Sequence, residues 1–205
     1  MNWNNTYLNI SSFISCTKVE GPGKRFSIWV QGCLKRCKGC CNPNELEITK
    51  KHVIPTNILL EKITASKIEN DIEGITLLGG EPILQARGLL FVAEQSKNIG
   101  LSVMLFTGYT YKELEENNFP YYRELINKCD IVVEGPYNST QKDDNRNWVG
   151  SKNQKFHYNS DTYKKGIEFD NEYIDGMEFR IQNNEVFVSG YPFPLSVGIE
   201  KNNLL

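Results

Sequence analysis

Apolar residues in the middle of the chain fall into short runs that alternate with longer amphipathic stretches. The runs FSIWVQG (26–32), GITLLGG (74–80), LSVMLFTGY (101–109) and DIVVEGP (130–136) have the length and composition of buried strands. The stretches between them repeat apolar residues at helical spacing. Strands that alternate with helices predict an α/β fold with a parallel sheet.

The helical stretches carry recognisable end signals. Thr56 is expected to be the N-cap of the first helix, and the second is expected over residues 83–100. Thr110 and Glu113 form a capping box before the third, and Pro120 separates it from a fourth. Right-handed crossovers would bring the carboxyl ends of all strands to one edge, where α/β folds assemble active sites.

The C-terminal part of the chain has a different pattern. Residues 137–166 are rich in Asn, Asp, Lys and Ser, which predicts a long loop or mobile lid. Residues 177–192 read as two strands joined at Asn183–Asn184, a β-hairpin. We expect a core over residues 1–154 and a C-terminal extension, residues 155–205, packed on or beside it.

Composition and charge narrow the function classes. The 205 residues are 40% hydrophobic and 23% charged, as in one folded domain. The net charge of −2 and the pI of about 5.8 show no excess of positive charge that would attract an anionic partner. Neither nucleic acid nor a membrane is therefore expected as a partner. The N-terminus lacks a signal-peptide pattern, and no run approaches the ~20 apolar residues of a spanning helix, so we expect a cytoplasmic protein.

The segment QGCLKRCKGCCNP (31–43) holds four of the six cysteines. In a reducing compartment such a cluster indicates metal binding or catalysis rather than disulfides. A structural zinc site would need a fourth ligand, for which His52 is available, and would make the protein a zinc-stapled interaction module. A ferredoxin-type site would need a remote cysteine, Cys16 or Cys129.

The spacing of Cys33, Cys37 and Cys40 favours a third interpretation. Three thiolates can hold an iron–sulfur cluster and leave one iron open to bind a substrate. Cys41 is a poor fourth ligand because adjacent side chains usually diverge. The spacing alone leaves the zinc alternative open.

The motif Cys-x-x-x-Cys-x-x-Cys followed one βα unit later by Gly79-Gly80-Glu81-Pro82 resembles radical S-adenosylmethionine (SAM) enzymes. The resemblance implies a partial (β/α) barrel, one [4Fe-4S] cluster, and SAM as the second cofactor. Within this superfamily the stretches VEGPGKRFSIWVQGC, CKGCCNP, LLGGEP, LFTGYTYKEL, DIVVEGPY and NWVGSKNQ are similar to the activating enzymes of anaerobic ribonucleotide reductases.

This narrower resemblance implies roles for particular residues. The implied cluster ligands, and hence the catalytic centre, are Cys33, Cys37 and Cys40. The implied contacts to the adenosine moiety of SAM are Gly39, Cys40 and Cys41, although tyrosine is common at the position of Cys41. The implied contacts to the methionine moiety are Gly79 and Gly80, with the Glu81 carboxylate complementing the ammonium group of SAM. The residues from Thr107 to Tyr109, at the end of the third strand, would line the same cavity.

The resemblance also implies a reaction and partners. Reductive cleavage of SAM would give a 5′-deoxyadenosyl radical, which would install a glycyl radical on the large subunit of an anaerobic ribonucleoside-triphosphate reductase. A peptide or a small molecule in a biosynthetic pathway is the alternative substrate. Lys35, Arg36 and Lys38 are either solvated loop charges or a surface for an acidic, low-potential electron donor such as flavodoxin.

Overall fold

A computed structural model describes residues 6–173, 176–182 and 185–190. The strands of its main sheet are β1 (Tyr7–Thr17), β2 (Arg25–Val30), β3 (His52–Pro55), β4 (Gly74–Gly79), β5 (Ser102–Thr107), β6 (Ile131–Glu134) and β7 (Lys155–Tyr158). The helices are α1 (Thr56–Asn70), α2 (Ala86–Asn98), α3 (Tyr111–Asn117) and α4 (Tyr122–Lys128). Short 3-10 turns cover Pro43–Glu45, Pro82–Gln85, Ser139–Gln141, Ile167–Phe169 and Asn171–Tyr173.

The main sheet has the strand order β3–β1–β2–β4–β5–β6–β7. The four central strands, β2, β4, β5 and β6, pair in parallel, whereas β1, β3 and β7 are antiparallel additions at the two sides. The predicted α/β fold with parallel central strands is confirmed. The closure of this sheet into a partial barrel stays a prediction.

The two faces of the sheet are covered differently. On one face, α1 to α4 pack over the larger core, in which Ile75 and Leu77 of β4 lie with Leu59 of α1 and Leu89 of α2. On the other face a smaller cluster is built from Met104, Ile131, Val133 and Val149, with Trp148, Phe156 and Tyr163 packed against it. Helices therefore cover one face of the sheet, and residues from the polar segment, 137–166, cover part of the other face.

The polar segment is tied to the core by a buried arginine. Arg25, at the start of β2, has no exposed surface. Its guanidinium donates to Thr76 Oγ1 at 2.7 Å, to Ser102 Oγ at 3.1 Å and to the Tyr163 hydroxyl at 2.9 Å. Part of the segment expected to be a loop or mobile lid is therefore anchored beneath the amino ends of the strands.

The residues after 154 contribute to two sheets. Their first four form β7, which pairs with β6. Farther on, β8 (Met177–Gln182) and β9 (Glu185–Gly190) form the predicted antiparallel hairpin, with Gln182 opposite Glu185. The turn expected at Asn183–Asn184 lies outside the described residues. The division at residue 154 stays a prediction.

Local end signals were correct for one helix and wrong for another. The capping box of Thr110 and Glu113 is present at the start of α3, as predicted. Thr56, in contrast, is the first residue of α1, because Pro55 takes the extended N-cap position with ψ 137°. The Thr56 hydroxyl instead lies 2.8 Å from the hydroxyl of Thr6. Within the described residues, no helix has both the length and the hydropathy needed to cross a bilayer.

Candidate functional site

The four parallel strands bring the predicted motifs to one edge of the sheet. Val30 at the end of β2 is opposite Gly79 at the end of β4, and Thr107 at the end of β5 is opposite Glu134 at the end of β6. The segments that leave these ends are the cysteine segment, Gly-Gly-Glu-Pro, Thr-Gly-Tyr and Glu-Gly-Pro. The prediction that they share one edge is confirmed.

Residues 31–42, called the cysteine loop below, are fastened by backbone hydrogen bonds at their start. The N–H of Gly32 donates to the carbonyl of Glu45 at 2.8 Å, and that of Cys33 donates to Leu46 at 3.1 Å. The N–H of Glu81 donates to the carbonyl of Gly32 at 2.9 Å. The loop is therefore held both by the chain that follows it and by the turn after β4.

The three predicted ligand thiols are neighbours in this loop. Cys33 is buried, and Cys37 and Cys40 are partly buried. Burial raises the pKa of Cys37, the Tyr137 backbone N–H at its sulfur lowers it, and the nearby thiols of Cys40 and Cys33 raise it further. The sulfur of Cys37 therefore lies within electrostatic range of those of Cys33 and Cys40. Among the described residues, no three His, Cys, Asp or Glu side chains are arranged as ligands of a single metal ion.

Cys40 and Cys41 interact directly with each other. A hydrogen bond from the Cys41 thiol lowers the pKa of Cys40 to about 6, and the Asn42 N–H adds a contact of 3.4 Å to the Cys40 sulfur. The same pairing raises the pKa of Cys41 well above its usual range. Cys40 is therefore the thiol of this pair with the greater thiolate character, which is the form that binds iron.

Gly79 and Gly80 are required by the close approach of two backbones. Gly79 has φ +110°, and a Cβ there would lie 2.4 Å from the backbone nitrogen of Val30. A Cβ on Gly80 would lie 2.4 Å from the carbonyl oxygen of Gly32 and 2.7 Å from that of Glu45. Gly79 therefore permits the close approach of the ends of β2 and β4, and Gly80 lets the start of the cysteine loop sit against the turn after β4. Their predicted contact with a methionine moiety stays a prediction.

Glu81 is enclosed by protein and links the ends of two strands. It has no exposed surface, and its carboxylate accepts hydrogen bonds from the Thr107 hydroxyl and the Gly108 N–H at 2.8 Å and from the Ile83 N–H at 3.0 Å. Burial raises the pKa of Glu81 to about 7, against the opposing effect of these donors and of Lys35. The predicted contacts of Glu81 and Thr107 with SAM stay predictions.

Two contacts of the cysteine loop were not predicted. The ring of Tyr137 would lie 3.5 Å from a Cβ on Gly39, so the Glu-Gly-Pro-Tyr turn after β6 reaches the loop. The Asn42 side chain donates to the carbonyl of Gly79 at 3.3 Å. The contact of Tyr137 could have been expected from the sequence, because this residue directly follows one of the predicted strands whose ends carry the motifs. No sequence signal pointed to the contact of Asn42.

The residues considered as a remote fourth ligand lie outside the cysteine loop. Cys129 is buried, and its thiol donates to the carbonyl of Leu125 at 3.2 Å. Cys16 packs against the larger core beneath the helices. His52 is exposed at the start of β3.

Comparison with known proteins adds to this geometry. Residues 19–157 match a family model described as a 4Fe-4S single cluster domain. The chain is 30% identical over 156 residues to the anaerobic ribonucleoside-triphosphate reductase-activating protein of Vibrio cholerae, covering 73% of this chain and 97% of that protein. It is 27% identical over 161 residues to the protein of that name from Haemophilus influenzae, covering 73% and 97%.

A solved structure is also similar in part. The crystal structure of QueE from Escherichia coli aligns with a TM-score of 0.43 and 12% identity, over 64% of this chain and 72% of that chain. This similarity is too low to bear on function. The family match and the Vibrio cholerae relative confirm the resemblance that the motifs indicated. The chain belongs to the family of the anaerobic ribonucleoside-triphosphate reductase-activating proteins and carries their 4Fe-4S single cluster domain.

Proposed function

We propose that this protein is a radical SAM enzyme that installs a glycyl radical on an anaerobic ribonucleoside-triphosphate reductase. The observation that carries the proposal is the position of the cysteine loop, which is fastened to the Gly79–Gly80 turn at the carboxyl edge of four parallel strands. The names of the related proteins support a reductase as the target. The family domain supports an iron–sulfur cluster as the cofactor.

The residues of the cysteine loop suit a [4Fe-4S] cluster held by three thiolates, Cys33, Cys37 and Cys40. The sulfur of Cys37 lies close enough to those of Cys40 and Cys33 for them to raise its pKa, and thiolates are the usual ligands of such clusters. When bound, the cluster would supply the electron that splits SAM into methionine and a 5′-deoxyadenosyl radical, and that radical would take a hydrogen atom from a glycine Cα of the partner. Cys41 is exposed, pairs with Cys40, and is left out of the ligand set.

The surrounding residues would position SAM and exclude water. Gly39, Cys40 and Cys41 would lie beside its adenosine, and Gly79 and Gly80 beside its methionine moiety. Glu81 and Thr107 would complete this cavity, the Glu81 carboxylate complementing the SAM ammonium while it accepts three hydrogen bonds that hold the turn. A partial barrel, with the sheet curved around SAM, would complete the enclosure.

The electron is expected from a low-potential, acidic donor such as flavodoxin. The cysteine loop presents Arg36 and Lys38 to solvent, which suits an acidic surface. We retain the expectation of a cytoplasmic protein with a core over residues 1–154 and an extension over residues 155–205.

The test is anaerobic reconstitution followed by reaction with SAM. We expect about four irons per chain, formation of 5′-deoxyadenosine after reduction, and a glycyl radical signal in electron paramagnetic resonance when the reductase is added. Deoxyadenosine without a radical on the reductase would refute the target and point to a peptide or small molecule. One zinc per chain with neither iron nor SAM binding would refute the enzyme.

A further inference from the structure

Lys35 differs from the other cations of the cysteine loop because its side chain is turned inward. That side chain is 17% exposed, and its Nζ lies 2.7 Å from Glu113 Oε1 and 4.9 Å from the centre of the Tyr109 ring. The side chain of Arg36, in contrast, is 53% exposed and pairs at 3.1 Å with the 71% exposed side chain of Glu47, and Lys38 is exposed. Lys35 therefore joins the cysteine loop to α3 through its ion pair with Glu113 and is not a solvated surface cation.

The path of Lys35 is open because Gly108 has no side chain. A Cβ on Gly108 would lie 3.3 Å from Lys35 Cγ and 3.4 Å from Glu81 Oε2. The N–H of Gly108 is in turn held by Glu81. The methylene groups of Lys35 thus cross the turn after β5 at a point that Glu81 holds in place.

The acceptor for Lys35 is held by its own helix. The other carboxylate oxygen of Glu113 accepts from the N–H of Thr110 at 2.8 Å and from its hydroxyl at 3.1 Å, within the capping box of α3. The hydrogen bond from Lys35 lowers the pKa of Glu113. The capping box already fixes the Glu113 carboxylate. Forming the ion pair with Lys35 therefore costs less side-chain conformational entropy than forming an ordinary surface ion pair.

We propose that Lys35 is the positioning residue of the cysteine loop, clamping the segment between Cys33 and Cys37 onto the Tyr109–Glu113 corner after β5. This role is distinct from the docking of an electron donor, for which the solvent-exposed Arg36 and Lys38 are the candidates. It concerns the protein chain itself and does not depend on the proposed reaction.

Hydrogen exchange on the full chain tests the clamp. Lys35→Met keeps an unbranched apolar side chain of similar length but removes the charge, and Lys38→Met is the matched control in the same loop. We expect the amides of Cys33 and Cys40, which donate to the carbonyls of Leu46 and Cys37, to exchange about tenfold faster in Lys35→Met, with those of α2 unchanged, and no change in Lys38→Met. Glu113→Gln, which can still cap α3, should reproduce Lys35→Met, and Lys35→Arg should restore slow exchange.

The reconstituted protein provides a second readout. Iron should be extracted by a chelator several-fold faster from Lys35→Met than from Lys38→Met, with Lys35→Arg near the unsubstituted protein. Equal exchange and equal extraction in Lys35→Met and Lys38→Met would overturn the proposal. So would faster exchange spread evenly over all helices, since that pattern reports global destabilisation. Neither measurement uses SAM or a reductase, so failure of the proposed reaction would leave the result standing.

Discussion

The hydroxyl of Thr107, at the end of β5, donates a 2.8 Å hydrogen bond to the carboxylate of Glu81, in the turn after β4. Both side chains are buried, and the bond joins two neighbouring strand ends directly behind the cysteine loop. The backbone of Glu81 also donates to Gly32 at the start of that loop. Glu81 therefore connects the turn after β4 with the end of β5 through its carboxylate and with the start of the cysteine loop through its backbone.

Glu81 should make stability depend on pH. Burial raises its pKa from 4.5 to about 7, so the folded protein holds this proton more tightly than the unfolded chain. Stability should therefore fall as the pH rises from about 4.5 to about 7, by about 3 kcal/mol for this group. Urea unfolding of the metal-free protein across this range measures the slope.

Glu81→Gln serves as the control for that slope. Every other titrating group is shared by the two proteins, so the difference between their pH profiles isolates Glu81. We expect the variant to lose the fall in stability between pH 4.5 and 7. Parallel profiles would contradict the prediction.

Substitution of Gly80 by alanine should be more harmful than substitution of Gly108. The added Cβ of Gly80→Ala would meet backbone oxygens of Gly32 and Glu45, at 2.4 and 2.7 Å, which cannot move without displacing the cysteine loop. In Gly108→Ala it would meet only side-chain atoms of Lys35 and Glu81. We expect a loss of about 3 kcal/mol for Gly80→Ala and about 1 kcal/mol for Gly108→Ala, measured by urea unfolding. Equal losses would argue against backbone crowding at Gly80.

Adjacent cysteines should differ in their effect on iron content. Cys40 has the thiolate character expected of a ligand, whereas Cys41 is exposed and its pKa is raised by Cys40. After anaerobic reconstitution, Cys40→Ala should lose most of its iron, as should Cys33→Ala and Cys37→Ala. Cys41→Ala should keep about four irons per chain. Loss of iron from Cys41→Ala alone would reverse the assignment.

Arg25 should be a stability residue far from the cysteine loop. Arg25→Met leaves the Tyr163 and Ser102 hydroxyls and the carbonyl of Ile75 without their buried donor, which should cost about 3 kcal/mol. The matched control is Arg123→Met, whose side chain is 60% exposed and pairs with Glu115 on the surface. That change should have little effect on the free energy of unfolding. Comparable losses in both variants would contradict this account.

The exposed cations of the cysteine loop should control the rate of reduction by an acidic donor. Arg36→Glu combined with Lys38→Glu should slow reduction by flavodoxin at least several-fold at low salt, and less at high salt. Reduction by dithionite should change far less, which controls for damage to the cluster. Unchanged flavodoxin kinetics at low salt would remove this surface as the docking site.

The elements that could be predicted before the fold was known are those whose signals lie within a few residues of each other. The four central strands are continuous apolar runs, and the capping box of α3 joins Thr110 to a residue three positions away. The cysteine motif and the Gly-Gly-Glu-Pro motif indicated the family for the same reason, because the residues within each motif are close together in the chain.

Features that join distant parts of the chain became apparent from the fold alone. Strands β1, β3 and β7 have mixed polar and apolar residues, and they become strands by antiparallel pairing at the sides of the sheet. Lys35 meets a partner 78 residues away, and Glu81 meets Thr107 across two strand ends. No local pattern records such contacts, because the fold sets which surfaces meet and which charges are removed from water.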